Sequence, residues 1–278
     1  MDPTAAEVAE ADRQFAEWMR SNLARAADHF GVQVDGEPVF GWRLRSISSP
    51  TNGPDGRRWL RVVSEQIQWA DGDWWTGNTD ANTITSIRKP HVLDVLEWEI
   101  PEVRRQRAEL MTHVPGRRCS DTDALRAEVE LPSAWWGELH RSLDVIRATP
   151  TTRMRKDEPA IHTAVHDALG LSIEVREWET VHGDLHWANL LQPEFGILDW
   201  ELWGRGPVGT DAASLYCYSL LAPRTAATVW GVFADVLDIP TGTTALLYVA
   251  ARLLRRVDMG DHPELAIPLR RLVDELAP

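Results

Sequence analysis

The segment 181–201, VHGDLHWANLLQPEFGILDWE, constrains the fold more than any other part of the 278-residue chain. Its two short apolar runs, 190–191 and 195–198, are separated by a turn, and this pattern is typical of two β segments joined in a hairpin. Asn189 leads into the first run, and Asp199 ends the second. The sequence therefore predicts one hairpin that carries both of these oxygen-bearing side chains.

The periodicity of the rest of the chain divides it into two parts. Residues 4–31 repeat their apolar positions with a helical period, and strand-like runs follow at 42–47, 59–63, 91–96 and 107–114. After Pro115 and Gly116 the pattern is mainly helical up to the C-terminus. We therefore predict an α+β protein with an N-terminal domain, 1–115, made of a helix and an antiparallel sheet, and a larger, mainly helical domain, 116–278.

Composition argues against several classes of partner. The net charge of −13 argues against nucleic acid. It would suit a cationic substrate, although solubility explains the same charge without any function and is the favoured explanation. The longest nearly apolar run, 245–251, is too short to span a bilayer. The acidic N-terminus has no apolar signal core, so we expect a cytoplasmic protein in which Cys119 and Cys217 are buried and reduced. The oligomeric state stays open.

Several motifs of the second part resemble a known family. They are His182-Gly183-Asp184-Leu185-His186 followed by Asn189-Leu190-Leu191, then Leu198-Asp199-Trp200-Glu201, and Asp211 before Ala212-Ala213. Together they resemble the catalytic region of the aminoglycoside phosphotransferase-like kinases, which are small-molecule relatives of the protein kinases. The resemblance is strong over about 181–220. It implies a bilobal protein-kinase-like fold and ATP-dependent transfer of the γ-phosphoryl group to a hydroxyl of an aminoglycoside, another antibiotic, an aminosugar or an amino alcohol.

The resemblance also implies roles for individual residues. Asp184 would accept or orient the proton of the acceptor hydroxyl, and Asn189 and Asp199 would bind Mg²⁺ through oxygen. Four further residues of the site are His182, His186, Glu201 and Asp211. His182 would orient the loop, Asp211 would accept hydrogen bonds from the loop backbone, and strand alternation would place Glu201 on the same face as Asp199. The role of His186 is left open.

The first domain would supply the contacts to ATP. Arg61 occupies the position where kinases carry the lysine that holds the α- and β-phosphates. Its acidic partner should lie on the following helix, where we favour Asp80 over the competing acidic residues 65, 71 and 73. No G-x-G-x-x-G motif occurs. The run from Met111 through His113 to Gly116 resembles the family's hinge, whose backbone would hydrogen-bond adenine.

Two functions of other classes compete with the kinase. The first is a metal-dependent hydrolase that uses His182, His186 and Asp184. Such an i, i+4 histidine pair needs a helix to converge on one ion, and Gly183 within strand-like surroundings argues against a helix. The second is a catalytically weak, pseudokinase-like binding protein, for which we would expect a key residue to be lost. The three key residues of a kinase site, Asp184, Asn189 and Asp199, are all present.

Overall fold

The structure is a computed structural model that describes residues 4–277. The chain forms two compact units. The first unit contains the residues up to Asn82 and Pro90–Val114, and the second contains Thr83–Lys89 and the chain from Pro115 onward. The change of periodicity at Pro115 therefore coincides with the division between the units, but the short segment 83–89 belongs to the second unit.

The first unit is an antiparallel sheet covered by a long helix. Its elements are α1 (Ala5–Phe30), β1 (Gln33–Val34), β2 (Val39–Phe40), β3 (Ser46–Gly53), β4 (Gly56–Gln66), α2 (Gly72–Asp80), β5 (Val92–Ile100) and β6 (Arg104–Thr112). The sheet order is β1-β3-β4-β6-β5, with β2 paired to β3. A capping box between Thr4 and Glu7 begins α1, and Gly31 in the left-handed conformation ends it.

The core of the first unit lies between α1 and the sheet. Side chains of α1, including Met19 and Leu23, pack with Ile47, Leu60 and Val62 of the strands. These positions alternate along each strand, so that one face of the sheet is removed from water. The strand predicted at 42–47 begins later than expected. Residues 42–44 form a 3₁₀ turn with positive φ angles, which interrupt an extended backbone.

The second unit is mainly helical and contains short strand pairs. Its elements are β7 (Arg117–Arg118), α3 (Ser133–Ala148), α4 (Glu158–Leu169), β8 (Trp178–Val181), β9 (Leu190–Gln192), β10 (Gly196–Ile197), β11 (Gly204–Pro207), α5 (Thr210–Tyr218), α6 (Pro223–Val232), α7 (Ala234–Leu237), α8 (Pro240–Asp258) and α9 (Ala266–Leu276). Helix α3 begins at Ser133, because Pro132 occupies the extended cap position. The predicted α+β class is confirmed.

Helix α8 is the centre of the second unit. It packs against α4, α5 and α9, and its residues from Ala245 to Ala251 are all buried. This is the longest apolar run of the sequence, and it forms core. Within residues 4–277 no helix combines the length and the apolarity needed to cross a membrane.

Candidate active site

The loop 182–189 connects β8 to β9 and contains most of the predicted site. It leaves the sheet at Val181, which pairs with Gly204 of β11. Gly183 then turns with a φ of +82°, and a Cβ atom at this position would lie 2.5 Å from the carbonyl oxygen of Leu202. Both the conformation and the close backbone therefore require glycine here.

Asp211 holds the start of this loop. It lies in the first turn of α5, and its carboxylate accepts hydrogen bonds from the backbone N–H groups of His182 (2.6 Å) and Gly183 (3.0 Å). Burial raises the pKa of Asp211 to about 7, although the two backbone donors favour the ionised form. Asp211 thus fixes the loop backbone.

His182 is fully buried and supports the loop from the other side. Its Nε2 lies 3.0 Å from the carbonyl oxygen of Leu198, and its ring meets that of Trp200 edge-on, with centroids 4.9 Å apart. Burial lowers the pKa of His182 to about 4. The ring is therefore neutral at neutral pH and donates from Nε2 to Leu198.

Asp184 and His186 form the charged centre of the loop. The Nε2 atom of His186 lies 3.5 Å from the carboxylate of Asp184 and 3.6 Å from that of Asp123. Burial opposes the charge on His186, but these carboxylates outweigh it and raise its pKa. Burial likewise opposes the charge on Asp184, yet His186 and Arg252 hold the pKa of Asp184 well below its usual range. Asp184 is therefore a carboxylate at all ordinary pH values.

Four residues of this centre were missed by the sequence analysis. Arg252 of α8 donates to the carbonyl oxygen of Gly183 (3.2 Å) and lies 3.9 Å from the carboxylate of Asp184. The Asp123 carboxylate binds Arg256 (2.9 Å) and His262 (3.4 Å). The spacing of arginines at 252, 255 and 256, on one side of a helix, was the signal that could have found two of them.

Asn189 and Asp199 are brought together by the predicted hairpin. Strands β9 and β10 pair antiparallel, and the N–H of Leu198 donates to the carbonyl oxygen of Asn189 (2.8 Å). The amide nitrogen of Asn189 lies 3.0 Å from the carbonyl oxygen of Asp184 and 3.1 Å from Nε2 of His186. Because the Asp184 carbonyl accepts from the nitrogen, the amide oxygen faces the opposite way. That oxygen and the Asp199 carboxylate are hard ligands of the kind that Mg²⁺ prefers.

The expectation for Glu201 rested on strand geometry that the structure contradicts. β10 ends at Ile197, Asp199 has a φ of +60°, and Glu201 lies in a turn. Strand alternation therefore does not relate the two carboxylates. Glu201 is buried within the same segment and stays a candidate through proximity in sequence alone.

The two histidines have different surroundings, which bears on the hydrolase alternative. His182 contacts Leu198, whereas His186 faces Asp184 and Asp123. Across residues 4–277 no group of three or more His, Cys, Asp or Glu side chains has the arrangement needed to hold a metal ion.

Within the first unit, Arg61 belongs to a buried network on the sheet. It lies directly opposite Glu109 of β6, and its guanidinium is 3.5 Å from that carboxylate. Glu109 also accepts from Asn78 of α2 (2.9 Å) and from Arg107 (3.0 Å). A carboxylate on the neighbouring strand, which the sequence analysis missed, thus pairs with Arg61. The favoured partner, Asp80, accepts a hydrogen bond from Thr76 of its own helix (2.7 Å).

The predicted hinge residues lie at the end of β6. Met111 is buried and pairs with Trp59 of β4. His113 follows the last residue of the strand and is half-buried, and burial, together with the charge of Arg57, lowers its pKa. The backbone at 113–116 has therefore left the sheet. Its predicted contact with adenine stays a prediction.

Comparison with solved structures identifies the fold. No protein-family model matches the sequence, and no curated protein matches it. An amicoumacin kinase in complex with AMP-PNP, Ca²⁺ and Ami is 14% identical, with a TM-score of 0.60 and coverage of 92% of each chain. A thermostable mutant of the aminoglycoside phosphotransferase APH(4)-Ia, in a ternary complex with ADP and hygromycin B, is 14% identical, with a TM-score of 0.59 and coverage of 91% of this chain and 97% of that one. A choline/ethanolamine kinase family protein from Mesorhizobium loti is 14% identical, with a TM-score of 0.58 and coverage of 93% and 95%. The chain therefore has the aminoglycoside phosphotransferase-like kinase fold, as the sequence predicted.

Proposed function

We propose that the protein is an ATP-dependent phosphotransferase that moves the γ-phosphoryl group to a hydroxyl of a small molecule. One observation carries this proposal. The loop 182–189 holds an ionised Asp184, and the backbone carbonyl of Asp184 fixes the side-chain amide of Asn189. In the hairpin, Leu198 donates to the backbone carbonyl of Asn189, so Asp199 follows directly beside this contact. A fixed acceptor of hydrogen bonds beside two oxygen ligands is the arrangement that phosphoryl transfer requires.

Asp184 would act on the acceptor hydroxyl. The acceptor oxygen forms a bond to the γ-phosphorus while the bond from that phosphorus to the bridging oxygen of ADP breaks. ADP leaves with the electron pair, and the hydroxyl proton passes to Asp184. Because its low pKa makes Asp184 a weak base, its main contribution is to align the hydroxyl, with proton transfer late in the reaction.

Asn189 and Asp199 would hold Mg²⁺ through their side-chain oxygens. When bound, this ion neutralises charge on the phosphates. The hydrogen bond from Leu198 to Asn189 and the contacts of the Asn189 amide keep its oxygen in place before any ligand arrives. Such preorganisation reduces the reorganisation that must occur during the reaction.

For the nucleotide we propose Arg61 as the cation for the α- and β-phosphates and the backbone at Met111 and His113 as the contact for adenine. The support for Arg61 is its ion pair with buried Glu109. That pair orients a planar guanidinium, which offers two parallel donors to phosphate. Asp80 stays a prediction as a second acidic group, as does a cytoplasmic location.

The test is an ADP-formation assay with purified protein, MgATP and a panel of aminoglycosides, other antibiotics, aminosugars, amino alcohols and hydroxy acids. We expect acceptor-dependent ADP formation that falls by roughly a thousandfold or more in Asp184→Ala and Asp199→Ala. Asp274→Ala, on the exposed face of α9, is the matched control. Thermal unfolding should show all three variants folded.

Three outcomes would contradict the proposal. Normal turnover by Asp184→Ala would remove the residue on which it depends. Tight nucleotide binding without turnover of any acceptor would favour the pseudokinase-like alternative. Turnover that needs zinc and no ATP would favour the hydrolase.

A further inference from the structure

Four basic side chains interact electrostatically with one another, and two of them, Arg252 and Arg155, also interact with the candidate catalytic carboxylate of Asp184. We name these four side chains the basic cluster, and its members are Arg155, Lys156, Arg252 and Arg255. The charge of the Asp184 carboxylate favours the protonated forms of both Arg252 and Arg155 and so acts to raise their pKa values. All of these residues belong to the second unit. The cluster is unexpected in a chain with a net charge of −13.

The backbone positions Arg155 and Lys156 through their neighbour Arg153. Arg153 is buried, its Nε donates to the carbonyl oxygen of Trp203 (3.1 Å), and its guanidinium lies over the Trp203 ring. The carbonyl oxygen of Arg153 accepts from the N–H of Arg205 (2.8 Å), and Met154 bridges to the same residue. The segment 153–154 is therefore attached to β11, so the backbone from which the side chains of Arg155 and Lys156 extend is held in place.

Helix α8 supplies the other half of the basic cluster. Arg252 and Arg255 are three residues apart and so lie on one side of the helix. The guanidinium of Arg252 is anchored by the carbonyl oxygen of Gly183 (3.2 Å) and lies near the ring of Tyr248. Arg252 thus presents a fixed charge next to Asp184.

The positive charge of the basic cluster is only partly offset by carboxylates, since Asp184 acts on Arg252 and Arg155, and Glu201 acts on Arg155. Arg256, the neighbour of Arg255, is paired more closely. Arg256 pairs with Asp123 (2.9 Å) and with Asp261 (3.2 Å). Over residues 4–277, in contrast, no ion pair is shown for Arg155, Lys156 or Arg255, and Arg252 reaches Asp184 only at 3.9 Å.

The side chains of the basic cluster repel one another. Loss of hydration lowers the pKa of Arg155 and the Arg252 charge lowers it further, whereas the carboxylates of Asp184 and Glu201 raise it. Loss of hydration also lowers the pKa of Lys156, and the charges of Arg155, Arg252 and Arg255 add to this effect. An anion bound among them would relieve this repulsion.

Since Asp184 would receive the acceptor hydroxyl, the surroundings of Asp184 select the acceptor. A polycationic acceptor such as an aminoglycoside would be repelled by the basic cluster, and local charge acts more strongly at a site than the net charge of the chain. Guanidinium groups bind carboxylate and phosphate through paired hydrogen bonds.

Resting on the proposed phosphotransferase function, we propose that the acceptor carries a carboxylate or a phosphate in addition to its hydroxyl, and that the basic cluster binds this anionic group. Arg155, Lys156 and Arg255 are substrate-binding residues. Arg252 both binds the anion and positions Asp184. The class of acceptor is therefore a hydroxy acid, a sugar acid or a sugar phosphate.

The first experiment measures kcat/KM with acceptors matched in shape and different in charge: glucosamine, glucose, glucuronate and glucose 6-phosphate, and then ethanolamine, ethylene glycol and glycolate. We expect an anionic member to exceed its cationic counterpart by at least about tenfold. A preference for the cationic members would overturn the proposal. The uronate and the sugar phosphate distinguish the two sources of negative charge.

The second experiment is independent of turnover. Isothermal titration measures the binding of inorganic phosphate to the protein saturated with ADP and Mg²⁺, so that the nucleotide does not compete. We expect the double variant Arg155→Glu/Lys156→Glu to bind phosphate about tenfold more weakly than wild type. Arg270→Glu/Arg271→Glu, on exposed positions of α9, makes the same change of charge and should leave binding unaltered.

The outcomes separate this inference from the proposed function. Unchanged phosphate binding in the cluster variant, or a raised KM for ATP with an unaltered KM for the acceptor, would overturn the inference alone. Acceptor-dependent ADP formation that persists in Asp184→Ala would overturn the proposed function, whereas the phosphate titration would still decide whether the basic cluster binds an anion.

Discussion

Acidification should destabilise the protein through His182. This side chain is fully buried, its Nε2 donates to the carbonyl oxygen of Leu198, and across residues 4–277 its Nδ1 has no hydrogen-bond partner. Protonation would place a charge on a buried ring whose Nδ1 has no acceptor among the described residues. The folded state therefore resists a proton that the unfolded chain accepts readily.

The sign and size of the effect follow from the two pKa values of His182. Its pKa falls from 6.5 in the unfolded chain to about 4 in the folded protein. The unfolded state binds more protons in this window, so the stability contributed by neutral His182 is present above the unfolded pKa and is lost as the pH falls toward 4. At about pH 5.5 the loss is of order 1 kcal/mol, since the unfolded histidine is then about nine-tenths protonated.

The assay is urea unfolding at a series of pH values from about 7.5 to about 5, for wild type, His182→Gln and His166→Gln. Glutamine at 182 can donate to Leu198 without titrating. On acidification we therefore expect the free energy of unfolding to fall by roughly 1 kcal/mol less in His182→Gln than in wild type. His166, which is exposed on α4, serves as the control. A pH dependence in His182→Gln that equals that of wild type would refute the reasoning. If this variant does not fold, the proton NMR titration of His182 should show a neutral ring down to about pH 4.

Two further substitutions test the backbone of the loop 182–189 and the ion pair of Arg61. Gly183→Ala should lower the free energy of unfolding by at least about 2 kcal/mol, because of the positive φ and the close carbonyl of Leu202. The control Gly137→Ala, within α3, should be neutral or stabilising by up to about 1 kcal/mol. Equal losses for the two variants in urea unfolding would be inconsistent with this account. Glu109→Gln should raise the KM for ATP roughly tenfold or more with a smaller change in kcat, because Arg61 loses its buried counter-ion. An unchanged KM for ATP in steady-state kinetics would show that this ion pair has no part in ATP binding.

The elements that the sequence predicted well are those with local signals. The hairpin that carries Asn189 and Asp199 follows from two apolar runs and a turn, and α1 follows from its capping box and terminal glycine. These signals act over a few residues, so a single sequence contains them in full.

The contacts that the sequence did not predict join distant segments. Glu109 meets Arg61 only because β4 and β6 pair in a particular register, and Asp123, Arg252 and His186 meet through packing around α8. The strand geometry assumed for Glu201 does not hold, because β10 ends at Ile197 and Asp199 has a positive φ.

The backbone at His182 and Gly183 is held from two helices at once. Asp211 of α5 binds its N–H side, and Arg252 of α8 binds the carbonyl of Gly183. In the proposed reaction the same arginine recognises the acceptor. Substrate range and catalytic rate are then not independent traits in this protein: evolution or engineering that remodels α8 to admit a new acceptor also moves the loop that performs the transfer. We expect changes of specificity by this route to require compensating substitutions near Gly183.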